Sequence, residues 1–219
     1  MLTGIKGIIF DMDGTLVDSM WIWRHIDMEY LGRLGLTMYP TLQQEIEGMS
    51  FSETAGFFKK KFALEDSVDE IKADWNRMAL YKYTHEVPLK QGVPEFLAHC
   101  RGLGIRMGIA TSNSRELTDT ILRVHKLCNF MDAVVTSCEV EKGKPAPDVY
   151  LAAAAKLEVA PENCLVFEDI VMGIRAGKAA GMKVCAVEDA YSVFQTNEKK
   201  ALADYYISGF HNWEKYERK

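Results

Sequence analysis

The sequence predicts an α/β protein: a Rossmann-like parallel sheet with a purely helical segment inserted into it. Three observations carry this. From about residue 89 onward, short apolar runs alternate with segments of helical period, the pattern of right-handed βαβ crossovers. Residues 5–10 form one more apolar, strand-like run that stops at Asp11. Between the two, residues 17–88 show helical periodicity only. The expected organisation is a core from residues 1–16 and 89–219, interrupted by a helical domain at 17–88.

Each element has a local reason. In the insert, helices are expected at roughly 20–34, ended by Gly35, then at 41–47, 51–63 and 68–83. Gly92-Val93-Pro94 opens the next helix, with Val93, Phe96, Leu97 and Cys100 at helical spacing and Gly102 and Gly104 closing it. Residues 105–110 have strand length. Ser114 can cap a helix that places Leu117, Ile121 and Val124 on one face. A strand at 133–136 follows, then a helix started by Pro147 and running to about Leu157. Residues 165–167 read as a strand and 170–180 as a helix closed by Gly181. Residues 183–187 make a strand, 205–207 an edge strand, and a last helix starts near Trp213.

Composition excludes several classes. The 219 residues are 48% hydrophobic and 26% charged, with a net charge of −5 and no basic block, so no nucleic-acid partner is expected. The run Lys59-Lys60-Lys61 reads as a solvated helix face. The five cysteines have no zinc-knuckle or CxxC spacing and suit a reducing cytoplasm. Lys6 and Asp11 interrupt any signal-peptide apolar region, and no apolar run nears the roughly 20 residues that span a bilayer. The expectation is a cytoplasmic protein, a monomer or weak dimer, with no membrane partner.

In open α/β sheets, ligands bind beyond the carboxyl ends of the strands. The first strand delivers Asp11 and Asp13 there, with Gly14 permitting close backbone approach. The second ends at Thr111-Ser112-Asn113, the third is followed by Lys144, and the fourth ends at Glu168-Asp169. Adjacent buried carboxylates repel one another, and the usual compensation is a hard cation. Hydroxyls, backbone N–H groups and an ammonium suit a bound phosphate. Taken singly, each residue has a structural explanation: Asp and Gly at a turn, Thr111 at a helix start, Lys144 as a loop charge, Glu168-Asp169 as a helix cap. Their order along one chain favours the metal–phosphate site.

Those four motifs, Asp11-Met-Asp13-Gly-Thr15, Thr111, Lys144 in Gly-Lys-Pro-Ala-Pro-Asp, and Glu168-Asp169 followed by Gly173, resemble the haloacid dehalogenase (HAD) superfamily. Within it the chain is similar to the β-phosphoglucomutase-like phosphatases, and the likeness covers essentially the whole sequence. The resemblance implies a HAD-type core with a helical cap at 17–88. It implies a Mg²⁺-dependent phosphatase acting on a small phosphorylated metabolite, a sugar or nucleoside phosphate, through an aspartyl-phosphate. It implies Asp11 as nucleophile, Asp13 as general acid and base, and Mg²⁺ on the Asp11 carboxylate, the Asp13 backbone carbonyl and Asp169, with Glu168 bound directly or through water. Thr111, Ser112 and Asn113 would hold phosphate, and Lys144 both phosphate and Asp11.

The same likeness implies hinges near Val17–Ser19 and Val87–Gly92, and a substrate loop around Met49 and Phe51. Related mutases carry an arginine where Phe51 stands and a histidine at about the place of Trp23. Without that arginine a second phosphate loses its bidentate clamp, so hydrolysis is favoured over a hexose-phosphate mutase, unless Arg77 or a lysine of the insert substitutes. A non-catalytic binding protein on the same fold is the remaining alternative. Gly102-Leu-Gly104, His85-Glu86 and Lys142-Gly-Lys144 each lack the context of the dinucleotide, zinc-protease or P-loop motifs they evoke.

Overall fold

The computed structural model describes residues 1–216. Six parallel strands make one sheet: β1 (Gly7–Phe10), β2 (Arg106–Thr111), β3 (Ala133–Thr136), β4 (Cys164–Glu168), β5 (Lys183–Val187) and β6 (Tyr205–Ile207), in the order β3-β2-β1-β4-β5-β6. The chain steps outward from β1 to β3, then crosses back to place β4 on the other side of β1. A crevice opens at that reversal. Register decides what enters it. Phe10 pairs with Ile109 on one side and Phe167 on the other. The residues that follow, Asp11 and Glu168, therefore emerge side by side.

Strand side chains alternate between faces. Ile8, Phe10, Leu165 and Phe167 face one apolar cluster, and Ile9 and Val166 the other. Helices α5 (Val93–Gly102) and α6 (Arg115–Val124) cover the first face, α7 (Asp148–Leu157) and α8 (Val171–Ala179) the second. The face expected of α5 is buried as read, and Ser114 caps α6 by accepting the Leu117 N–H. Val124, expected on the buried face of α6, is exposed instead. It is the last residue of the helix, and Leu122 is buried in its stead.

Between β1 and α5 lie α1 (Met20–Arg33), α2 (Leu42–Ile46), α3 (Phe51–Lys61) and α4 (Val68–His85), with no strand among them. Ser50 and Ser67 start α3 and α4 with full capping boxes, paired with Glu53 and Glu70. The two connecting segments pair with each other: Asp18 N–H bonds Pro88 O at 3.0 Å, and Lys90 N–H bonds Leu16 O at 2.9 Å. The basic run is only partly a solvated face. Lys60 and Lys61 are exposed, but the loop after α3 turns back over Lys59, whose Nζ donates to the carbonyls of Leu64, Glu65 and Asp66.

The chain's end completes the core. In place of a helix from Trp213, a 3₁₀ segment runs from Phe210 to Tyr216; residues 217–219 lie outside the described residues. The Phe210 ring lies 5.2 Å from Phe96 and 5.3 Å from Phe167, and Phe167 stacks on Phe10 at 5.2 Å. Cys100, Cys164 and Cys185 are buried, and Cys128 and Cys138 are exposed. Among the described residues no helix is long and apolar enough to cross a membrane. Truncating Phe210 to Ala should lower stability by about 3–5 kcal/mol in urea unfolding, the usual loss for a buried aromatic. A change under about 1 kcal/mol would show that this segment is not part of the core.

Candidate active site

The crevice holds three buried carboxylates and one buried ammonium. Lys144 Nζ donates to Asp11 Oδ1 and to Glu168 Oε1, both at 2.6 Å. Tyr150 OH also donates to Glu168 Oε1 at 2.8 Å, while the Asp169 and Ile170 N–H groups donate to Glu168 Oε2. Both oxygens of Glu168 are thus held by the protein. Asp169 differs. Its Oδ1 accepts from Thr15 Oγ1 at 3.0 Å, but its buried Oδ2 has no protein partner.

Lys144 alone cannot neutralise three carboxylates, and the other buried lysine nearby, Lys199, bonds carbonyl and hydroxyl oxygens instead. Burial pushes the Asp11 carboxyl up, to about 8, with Lys144 opposing and Glu168 adding to the rise. Burial, then Glu168 and Asp11, raise Asp169 well above the usual carboxylate range. Burial alone would lower Lys144; Asp11 and Glu168 outweigh it and hold the amine above its ordinary value. Oxygen atoms of Asp11, Glu168 and Asp169 lie within 4.8 Å of one another. An oxygen-only donor set with one orphaned buried acceptor fits a hard divalent cation.

Two glycines make room for these groups. A Cβ at Gly14, where φ is +79°, would meet Asp169 Oδ2 at 2.3 Å, and one at Gly173 would meet Glu168 Oε1 at 1.7 Å. Lys199 pins the far side of the loop, donating to Asp169 O at 2.9 Å, Val187 O at 3.2 Å and Ser192 Oγ at 2.9 Å.

Asp13 stands apart from this cluster, held by neutral donors. Its Oδ1 accepts from Ser19 Oγ at 2.5 Å and from Tyr83 OH, and its Oδ2 from Asn113 Nδ2 at 2.8 Å. Asn113 Nδ2 also donates to Tyr83 OH at 3.0 Å. The Asn113 amide, expected at the phosphate, is committed to Asp13 and Tyr83. Tyr83 comes from α4, so the helical insert completes the environment of Asp13. Burial and the adjacent Asp13 push the Tyr83 phenol well above its ordinary value, which keeps it a donor.

A cavity of about 710 Å³ joins the two groups. Thr111, Ser112, Asn113 and Lys144 line its core side, and Trp23, Met49 and Phe51 its helical side. Trp23 lies 5.9 Å from the Phe51 ring and 6.0 Å from Tyr83. Arg77 is not among the lining residues. It is exposed and pairs with Asp74 at 2.8 Å, so it does not stand in for the arginine that Phe51 replaces.

Sequence reasoning missed Thr15, Ser19, Tyr83, Tyr150 and Lys199. It also missed Asp27, a buried carboxylate in the cavity wall bonded to Gln43 Nε2 at 2.5 Å. Thr15 and Ser19 were within reach, being close to the first motif. Nothing in sequence order joins Tyr83 to a residue 70 positions away.

Comparison with known proteins agrees with this geometry. The profile described as haloacid dehalogenase-like hydrolase matches residues 8–187. The phosphorylated carbohydrates phosphatase of Thermotoga maritima is 28% identical over 201 residues, covering 91% of this chain and 91% of that protein. The bifunctional riboflavin kinase/FMN phosphatase of Arabidopsis thaliana is 32% identical over 183 residues, covering 82% of this chain; the chain spans only about half, 48%, of that longer protein. The crystal structure of CbbY from Rhodobacter sphaeroides in complex with phosphate shares the fold, with a TM-score of 0.82, 24% identity, and coverage of 94% and 95% of the two chains. The chain belongs to the haloacid dehalogenase-like hydrolases, a family of enzymes that includes phosphatases.

Asp27 offers a test independent of activity. Burial raises its carboxyl from 3.8 to about 7, with Gln43 opposing. The folded protein then retains a proton that the unfolded chain releases, so this group's contribution to stability falls as pH rises from about 4 to 7. Asp27→Asn should therefore raise the melting temperature at pH 8, by a gain on the order of 2–4 kcal/mol, and change it little at pH 4.5. An equal effect at both pH values would contradict a buried carboxylate penalty.

Proposed function

We propose that this chain hydrolyses a small phosphomonoester, a sugar or nucleoside phosphate, through an aspartyl-phosphate on Asp11. One observation carries the reading: Lys144 bridges Asp11 and Glu168 beside the orphaned Asp169 oxygen, at the mouth of a cavity large enough for a metabolite. In the first step an Asp11 oxygen attacks phosphorus, the bond to the leaving oxygen breaks, and Asp13 gives that oxygen a proton. In the second, Asp13 takes a proton from water, the water oxygen attacks phosphorus, and the bond to Asp11 breaks, releasing phosphate. Ser19, Tyr83 and Asn113 stabilise the carboxylate that Asp13 becomes once its proton has gone.

Thr111 and the Ser112 N–H hold phosphate oxygens, and Lys144 spans phosphate and Asp11. Asp11, the Asp13 backbone carbonyl and Asp169 hold Mg²⁺, with Glu168 beside them. Its side chain is already committed to protein donors, so Glu168 acts by orienting Lys144 and the loop. Bound there, Mg²⁺ offsets the repulsion between the anionic nucleophile and the anionic phosphate.

Residues 17–88 act as a cap, hinged at the paired segments near Val17–Ser19 and Val87–Gly92. Contacts between helical insert and sheet support this: Phe51 N–H to Ser112 O at 2.9 Å, Ser114 Oγ to Asn76 Oδ1 at 2.8 Å, and Gln195 Nε2 to both Glu47 oxygens. Closure excludes water and brings Tyr83 to Asp13. A mutase reading has less support, because Phe51 replaces the arginine and Arg77 faces away from the cavity, while Arg24 on the wall is solvent-exposed. A non-catalytic reading leaves the full charged constellation unexplained.

Phosphate release should be measured on a panel of sugar, nucleotide and small-acid phosphates, with Mg²⁺ and with chelator. Release is expected only with Mg²⁺, and none from Asp11→Asn. No release from any member would overturn the phosphatase reading. Tyr83→Phe, which keeps the ring and removes one donor to Asp13, should lower kcat by about 10-fold with KM changed less than about 2-fold. A change confined to KM would contradict the positioning role.

A further inference from the structure

We infer that Asp27 and Gln43 form a specificity pair at the far end of the cavity, accepting hydrogen bonds from hydroxyls of an uncharged substrate tail and rejecting a second anionic group. The inference rests on the phosphatase reading for which end holds the phosphate.

Met20, Trp23, Arg24 and Asp27 all line the cavity and recur at helical spacing along one face of α1. Ser19, just before that helix, touches Asp13. Asp27 is eight residues further on, about 12 Å along the axis at 1.5 Å per residue. It lies well away from Asp11 and Lys144, where a phosphate would sit.

The bonding of Asp27 is incomplete in a way that Asp13 and Glu168 are not. Those two have both oxygens held by protein donors. Asp27 is 4% exposed, and among the described residues its one partner is Gln43 Nε2, on Oδ2. Among the described residues no donor reaches its Oδ1, and the residue lines the cavity. With its amide nitrogen on the carboxylate, half-buried Gln43 likewise has no donor on its carbonyl oxygen among the described residues. Two unmet acceptors thus share an otherwise largely apolar stretch of wall with Leu36 and Met38.

A buried, half-bonded carboxylate destabilises the fold, as the upward shift of its pKa to about 7 reflects. Adjacent hydroxyl donors on a ligand satisfy both oxygens. Above about pH 7, where Asp27 is ionised and where the test is run, a carboxylate or phosphate in the same place meets like charge and brings no donor. Arg24, one turn earlier, would favour an anion, but it is exposed, and solvent screens it more than the enclosed Asp27.

The test uses the full chain with Mg²⁺ and three phosphomonoesters of equal carbon length, ending in a diol, a methyl group or a carboxylate. Wild type should favour the diol over the methyl ester by about 100-fold in kcat/KM, and disfavour the carboxylate most. Asp27→Leu should bring the diol and methyl esters within about 3-fold. Asp27→Asn, which keeps an acceptor but not the charge, should retain part of the diol preference and gain on the carboxylate ester. Binding of the free polyol, followed as a saturable change in tryptophan fluorescence, needs no turnover. Its half-saturation should rise about 10-fold or more in Asp27→Leu. Equal discrimination by wild type and cooperatively folded variants overturns the inference; if Asp27→Leu does not fold, Asp27→Asn decides. No phosphate release from any ester by wild type overturns the phosphatase reading instead, and the fluorescence titration then decides the role of the pair.

Discussion

A single buried ammonium between two of three buried carboxylates is the constraint on which this structure turns. Lys144 contacts Asp11 and Glu168 at equal distance, and Asp169 is left with an oxygen that none of the described residues satisfies. Such an arrangement is unfavourable on its own. Much of its surroundings restrains it. Phe10 and Phe167 pair in register, so Asp11 and Glu168 leave the sheet together. Tyr150, the backbone N–H groups of Asp169 and Ile170 just before α8, and Thr15 supply donors. Gly14 and Gly173 lack the Cβ that would strike the carboxylates. The stacked rings under Asp11 give the strand ends a rigid base. The residual negative charge is the property that suits the site to a cation and a phosphate together.

Asp13 obeys a different rule. It sits two residues from Asp11, yet neutral donors hold it, one of them from the helical insert. The division of labour follows from environment. Asp11 lies against cationic Lys144, as the proposed nucleophile; Asp13 lies among hydroxyls and an amide, donors suited to the anion of the proposed acid–base group. Because Tyr83 belongs to α4, the surroundings of Asp13 are complete only with the helical insert in place. Gln195 and Glu47 form a second contact between the insert and the rest of the chain.

Much of this was legible in the sequence, and the reasons are physical. Strand ends marked by Asp11, Thr111 and Glu168 could be read because an apolar run stopping at a polar residue is a local signal. Ser114 and Gly181 could be read because caps are local too. The strand order was not legible, since alternation implies parallel strands without saying which are neighbours. Tyr83, Tyr150 and Asp27 stayed hidden for a related reason. Each is an ordinary helix residue whose partner is distant in sequence: Asp13 for Tyr83, Glu168 for Tyr150 and Gln43 for Asp27. Lys59 looked solvated because a charge run carries no sign of the loop that folds back onto it. Arg77 looked available because helical phase alone does not tell which face meets the cavity.

The most direct measurement is to trap the phosphorylated enzyme. The chain should be mixed with a radiolabelled substrate and Mg²⁺, quenched in acid within the first turnover, and the label mapped by peptide digestion. A hydroxylamine-labile label located at Asp11, and absent from Asp11→Asn, is the expected result. Substrate turnover with no label retained on the protein, or with label on any other residue, would contradict Asp11 as the nucleophile, and with it the role of the Lys144 centre in holding that nucleophile for attack.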